Sequence, residues 1–205
     1  SMRPLTPDAV FRVESISKPV TAWGLLHLVD AGRLNLDDDV ASLLSTWSPP
    51  PGTPPFTARQ LLSHTAGVGL GDFTDRYPPE DSVPDLRSSL AREFRIDAFP
   101  GTRFAYSDTG FNLLELVVEE VTNEDFGAWM GREILAPLGM TGASYDWDST
   151  FAARVPTAYT LHNEAVVPYV YPGRGSGGLF ATMDDVARFV LAGMTGVRVP
   201  ARPVL

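Results

Sequence analysis

Residues 15–30 constrain the fold more than any other stretch of this chain. Apolar side chains (Ile16, Val20, Trp23, Leu25, Leu26, Leu28 and Val29) fall on nearly every side of a helix drawn through them. Such a helix has no polar face to offer water and has to run through an interior. Gly32 ends it. Pro19 is tolerated only near the helix start, where backbone N–H groups lack intrahelical partners, and this places Ser15 at the helix N-terminus. A buried helix needs other elements around it. A second is predicted over Gly110 to Val121, with Leu113, Leu114, Val117, Val118 and Val121 at helical spacing. A third runs from Phe126 to Leu135 and stops before Pro137, and Thr182 with Asp185 caps a last one through Val186, Phe189 and Val190. After the stiff connector Pro49 to Pro55, Thr57 and Gln60 form a capping box that opens a short helix through Leu61 and Leu62. Residues 71–102, with Pro78, Pro79, Pro84 and Pro100, read as a loop-rich excursion around one short helix near 85–94. Strand signal is confined to Ala143 to Trp147, Ala158 to Leu161 and Ala165 to Tyr169. The expectation is a mainly helical chain.

With 205 residues, a chain of this size buries roughly 70% of its unfolded surface, enough for one large core or two small ones without staples. Its 44% hydrophobic and 20% charged residues are those of an ordinary globular protein. The absence of Cys excludes disulfides, a thiol nucleophile and a Cys-ligated metal. A net charge of -9 argues against a broad basic surface for nucleic acid or anionic membrane. No apolar run approaches the ~20 residues of a membrane span, and the start reads neither as a signal peptide nor as native sequence, Ser1-Met2 looking like a cloning remnant. No solenoid-type repeat is present.

The 16 basic residues comprise 15 Arg and one Lys, Lys18. Ser15 and Lys18 stand at i and i+3, so on a helix a hydroxyl and an amine share one face. A serine hydroxyl is a poor nucleophile until a base takes its proton; lysine can serve if burial or nearby charge adjusts it, and arginine cannot. A helix N-terminus adds free N–H groups for a developing oxyanion. The competing reading is codon bias: with 14 Ser in the chain, a Ser three positions before a given Lys arises by chance about one time in fifteen.

Context favours the chemical reading. The stretch from Phe11 through Glu14, Ser15 and Lys18 to Ala22, followed by Gly32 to Val40, resembles the serine beta-lactamase and penicillin-binding superfamily, specifically its class C-like branch of DD-peptidases, esterases and related serine hydrolases. The resemblance continues through Leu61-Leu62-Ser63-His64-Thr65-Ala66-Gly67, Pro100 to Leu114, Ile134 to Met140, and Gly177 to Phe189. It implies an α+β, beta-lactamase/transpeptidase-like fold, here mainly the helical lobe, with much of the central antiparallel sheet missing at both ends. Residues 1–205 would form one partial domain. It further implies that Ser15 is the acylated nucleophile, Lys18 its partner and Tyr106 the proton carrier of a Y-x-N element. Asp108 replaces the usual Asn of that element; an ionised Asp accepts hydrogen bonds but cannot donate one, and its charge would favour the protonated form of Lys18.

A Ser-His-Asp triad using His27, His64 or His162 is disfavoured because no G-x-S-x-G is present, position 174 being Arg. His64 reads as structural, His27 as part of the buried helix, and three scattered His make a zinc site improbable. Glu14 reads as a helix-end carboxylate rather than a catalytic acid. Ser176 and Gly177 are expected to line the substrate pocket, although the run Gly175 to Gly178 equally fits a tight turn needing positive φ. The family's third element, K-T-G or H-x-G, has no counterpart after Lys18, and Met194-Thr195-Gly196 is a decoy. The loss of one oxyanion donor on that strand would cost ~100- to 1,000-fold in turnover, and an uncovered apolar face would favour self-association. The expectation is therefore a cofactor-free serine hydrolase taking a small-molecule or peptidoglycan-type amide, ester or lactam substrate. The alternative is a truncated, non-catalytic fragment or binding module. The resemblance implies an exported or cell-envelope location.

Overall fold

The computed structural model describes residues 4–72 and 75–196. The Ser1-Met2 start lies outside the described residues. Helix α1 (Ser17–Asp30) crosses the interior, with Val20, Leu25 and Leu28 essentially inaccessible. It is not buried on every side, because Leu26 and the preceding Ile16 remain exposed. Its end follows from Gly32, which adopts a left-handed φ of 68°. The Gly32 N–H bonds the Val29 carbonyl and the Arg33 N–H the Leu28 carbonyl, a Schellman motif that satisfies two orphan acceptors.

Short helices α2 (Ala58–Leu62) and α3 (Leu86–Glu93) flank the central helix α4 (Asp108–Thr122). The Thr57–Gln60 capping box at the head of α2 forms as its sequence predicts. Helix α4 begins two residues before the expected Gly110, because the Ser107 hydroxyl accepts the Gly110 N–H at 2.8 Å and acts as N-cap. Phe111, Leu113, Leu114, Leu116, Val117 and Val118 of α4 are all buried, and α4 packs on α1, α2 and α3. The expected helix 126–135 divides into α5 (Phe126–Met130) and a π-helical turn, Gly131–Leu135. Trp129, Met130, Ile134 and Leu135 of this segment close the core.

Strands are minimal. β1 (Phe11–Arg12) pairs antiparallel with β4 (Phe180–Ala181), and β2 (Ala158–Tyr159) with β3 (Ala165–Val166). Ser144 adds one bridge to Phe180, which is all that forms of the strand expected over Ala143 to Trp147. The short helix α6 (Ser149–Ala152) precedes β2. β1 and β4 lay outside the expected strands, since a two-residue strand carries no alternation to detect. Helix α7 (Met183–Thr195) opens on the Thr182–Asp185 capping box and ends at Gly196, φ 67°. The mainly helical character of the chain is borne out, and among the described residues no helix is long and apolar enough to cross a membrane.

Candidate active site

Three parts of the chain converge on Ser15. The first is the one-turn 3-10 helix Glu14–Ile16 that feeds α1, so Ser15 lies just before the α-helix rather than in its first turn. The cause is Glu14, whose φ of 48° is left-handed, a conformation uncommon for a residue with a side chain. Its surroundings fix it: Ser17 Oγ donates to the Glu14 carbonyl at 2.6 Å, and the Tyr169 and Tyr171 hydroxyls donate to its two carboxylate oxygens at 3.0 and 3.2 Å. Arg12 stands 3.6 Å from the same carboxylate. Glu14 is thus a hydrogen-bonded carboxylate beside the helix start.

The second part is the turn entering α4. Tyr106 precedes the N-cap Ser107, and its Oη lies 2.7 Å from Ser15 Oγ. His64 supports it from beneath. The Ala105 N–H bonds the His64 carbonyl, the Ser107 N–H donates to His64 Nδ1 at 3.1 Å, and the His64 ring sits 4.6 Å from that of Tyr106. Burial lowers the His64 pKa, Lys18 adds to the effect and Asp108 opposes it, a shift in favour of the neutral ring whose Nδ1 accepts the Ser107 N–H. Asp108, first residue of α4, presents its carboxylate where free N–H groups favour negative charge.

The third part is the segment 173–178. Its Ser176 carbonyl accepts from Lys18 Nζ at 2.8 Å. Lys18 is buried and also donates to Asp108 Oδ1 at 2.5 Å and Ser15 Oγ at 3.3 Å. An ammonium has three N–H donors, and here three acceptors surround it, one from each part of the site. Its charge also lies 4.7 Å from the centre of the Tyr106 ring.

The structure thus brings Ser15, Lys18, Tyr106 and Asp108 together, and places Ser176 and Gly177 with Ser15 on the wall of one cavity. Five carboxylates, Glu14, Asp72, Asp75, Glu93 and Asp108, share that wall, and burial raises the Glu93 pKa. The positive-φ explanation for Gly175 to Gly178 does not hold: none of these glycines is left-handed. Close approach requires Gly175 and Gly178 instead, since a Cβ on Gly175 would stand 2.7 Å from the Phe111 carbonyl oxygen and one on Gly178 2.7 Å from the Arg174 Cα. His27 packs on Trp129 and His162 is exposed in the β2–β3 turn. Among the described residues no group of three or more His, Cys, Asp or Glu is placed to hold a metal ion. Sequence reasoning missed Thr21, Asn112 and Glu115, whose polar groups anchor segment 173–178; a charged residue inside an apolar run was the available signal for Glu115.

Ser15 on the turn into α1, Lys18 in the first turn of that helix, and Tyr106 facing them from the turn that enters α4 stand in a helical body of the beta-lactamase/transpeptidase-like fold. The octameric penicillin-binding protein homologue from Pyrococcus abyssi superposes with a TM-score of 0.82 at 26% identity, over 96% of this chain and 47% of that one. A class C beta-lactamase superposes at 0.77 with 21% identity over 96% of this chain and 54% of its own, which speaks to fold alone. The Beta-lactamase family model matches residues 1–203, and the chain belongs to that family, a family of serine hydrolases. Esterase EstB of Burkholderia gladioli is 32% identical over 232 residues, covering 91% of this chain and 57% of that protein. The chain spans about half the length of the curated relatives it matches.

Proposed function

We propose that the chain is a serine hydrolase that forms an acyl-enzyme at Ser15. The observation that carries this reading is the position of Ser15 Oγ, 2.7 Å from Tyr106 Oη, within the range expected of a nucleophile and its proton acceptor, with Lys18 Nζ donating to it at 3.3 Å. Ser15 Oγ attacks the substrate carbonyl carbon while Tyr106 Oη takes the serine proton and passes its own to the departing nitrogen or oxygen. Lys18, donating to Ser15 Oγ, stabilises the negative charge that develops there. Water then attacks the ester by the same route in reverse, its proton returning through Tyr106 to Ser15. Relative to the expectation of Lys18 as a free-amine base, the three acceptors around Nζ move the transfer itself toward Tyr106. The Ser15 N–H supplies an oxyanion donor. Asp108, whose Oδ1 is engaged by Lys18, orients the lysine, and its remaining oxygen together with Ser176 and Gly177 contacts the substrate.

The substrate class is an acyl compound: a carboxylic ester, a lactam, or an amide of the D-Ala-D-Ala type. The relatives named esterase and penicillin-binding protein support that range. A fluorophosphonate or a fluorescent penicillin is expected to label the chain at Ser15 and to leave Ser15→Ala unlabelled. Equal labelling of both proteins would remove Ser15 from the mechanism.

A further inference from the structure

Glu115 stands in the middle of α4 between Leu114 and Leu116, fully buried, in a helix whose other buried residues are apolar from Phe111 onward. A carboxylate so placed is costly unless charge and hydrogen bonds compensate it, and here burial raises its pKa while Arg174 and the Gly175 N–H oppose the rise. Its partners are unusual for a structural ion pair. One oxygen, Oε2, accepts the consecutive backbone N–H groups of Arg174 at 2.5 Å and Gly175 at 2.7 Å, while Oε1 accepts Arg174 Nε at 2.9 Å. The Arg174 guanidinium is tied in turn to Glu119, Asp125 and Asp146. The carboxylate therefore grips the backbone of the segment and not only a side chain.

That backbone leads directly to Lys18. The next residue, Ser176, gives its carbonyl to Lys18 Nζ, and the Gly175 carbonyl accepts Thr21 Oγ1 at 2.8 Å, one helical turn further along α1. The segment lies so close to α4 that a side chain at Gly175 would collide with the Phe111 carbonyl, which leaves little freedom to re-form these bonds elsewhere.

We propose that Glu115 is a positioning residue for Ser15 chemistry, acting through the Arg174 and Gly175 N–H groups to fix the Ser176 carbonyl that orients the Lys18 ammonium. It touches no reacting atom. The inference rests on the role given to Lys18 above, and it predicts a local effect on Lys18 that can be read without catalysis.

The chain contains one lysine, so protein made with [13Cε]-lysine gives a single side-chain resonance that needs no assignment. Two variants separate placement from charge. Glu115→Gln removes the charge; Glu115→Asp keeps it and withdraws the carboxylate by one methylene. Near-UV circular dichroism and urea unfolding establish that each is folded. If Glu115 acts by placement, the lysine resonance moves in both folded variants. With fluorophosphonate, the rate of Ser15 modification at saturation falls roughly 10- to 100-fold in both, while the half-saturating concentration stays within about twofold. Asp146→Asn, which removes one arm of Arg174 and leaves both backbone bonds, keeps the parental resonance and rate. An unmoved lysine signal in folded Glu115→Asp overturns the proposal, whether or not Glu115→Gln moves it, because only the field of the charge would then remain; if Glu115→Gln does not fold, Glu115→Asp alone decides. Failure of the parent protein to label at Ser15 would count against the hydrolase reading and leave the resonance test standing.

Discussion

Replacing Ser107 by Ala should cost stability out of proportion to the one oxygen removed. The buried Ser107 hydroxyl accepts the Gly110 N–H at 2.8 Å and donates to the carbonyl of Gly69 at 2.7 Å. Loss of the cap costs about 1 kcal/mol. The Gly69 carbonyl, also buried, loses its hydroxyl donor, and stranding such a group costs about 1 to 3 kcal/mol. Together the change is about 2 to 4 kcal/mol. In urea unfolding followed by tryptophan fluorescence, a slope of about 2 kcal/mol per molar converts this into a midpoint lowered by about 1 to 2 M. Ser107→Thr keeps donor and acceptor and should recover most of the loss. Because Tyr106 and Asp108 flank the cap, Ser15 labelling in Ser107→Ala should also slow by about tenfold. A folded Ser107→Ala protein within about 0.5 kcal/mol of the parent would show that the cap does not hold the start of α4, and would refute the account of how Tyr106 is placed.

Tyr106→Phe removes the hydroxyl 2.7 Å from Ser15 and keeps the ring on His64; the rate of Ser15 acylation should fall about 100- to 10,000-fold with an unchanged unfolding midpoint, and a loss under about threefold would exclude Tyr106 as the proton carrier. Lys18→Arg preserves charge but puts a planar fork into a buried pocket shaped by three point acceptors; labelling should drop at least about 100-fold, and a fully active variant would refute the role of Lys18. His64 has a lowered pKa, so its neutral form contributes stability that is complete above the ordinary histidine value of 6.5 and is lost as pH falls below it. Melting temperatures taken from about pH 7.5 to about pH 5 should therefore fall less steeply in His64→Gln than in the parent, and parallel curves would show that His64 does not carry this dependence.

The helices could be read from the sequence where apolar side chains repeat with the helical period, and the reading erred where a single polar atom decides. Ser107 is of a type that caps helices, but whether it or a later residue starts α4 depends on the turn that carries it. Strands of two residues, such as β1 and β4, are made by long-range pairing and leave no local trace. At the site, Ser15 and Lys18 are neighbours along the chain and their types alone suggest chemistry, while Tyr106 follows from the family motif. Glu115, Thr21 and Asn112 were hidden for a different reason. Each acts on the backbone of segment 173–178, and a backbone partner has no residue type by which a sequence can announce it. The glycines of that segment were visible as glycines, but Gly173 and Gly175 are there for a close approach to α4 and Gly178 for one to Arg174, rather than for a left-handed turn.

The lone lysine gains its meaning from the independence of its three acceptors. Ser15 belongs to the turn before α1, Asp108 to the start of α4, and Ser176 to the segment gripped by Glu115. No one element can move without breaking a bond to Lys18, so the ammonium reports the mutual arrangement of all three. A lysine on a flexible four-carbon stem would ordinarily give up considerable rotamer freedom to hold one position. Here a charge-assisted bond to Asp108 offsets that loss before any substrate arrives. The same charge that anchors the lysine also lies beside Ser15 and over the Tyr106 ring. In the proposed mechanism, structural and chemical roles therefore fall on the same nitrogen. Substitutions at Asp108 should consequently disturb placement and chemistry together, whereas those at Glu115 should reach the chemistry only through placement.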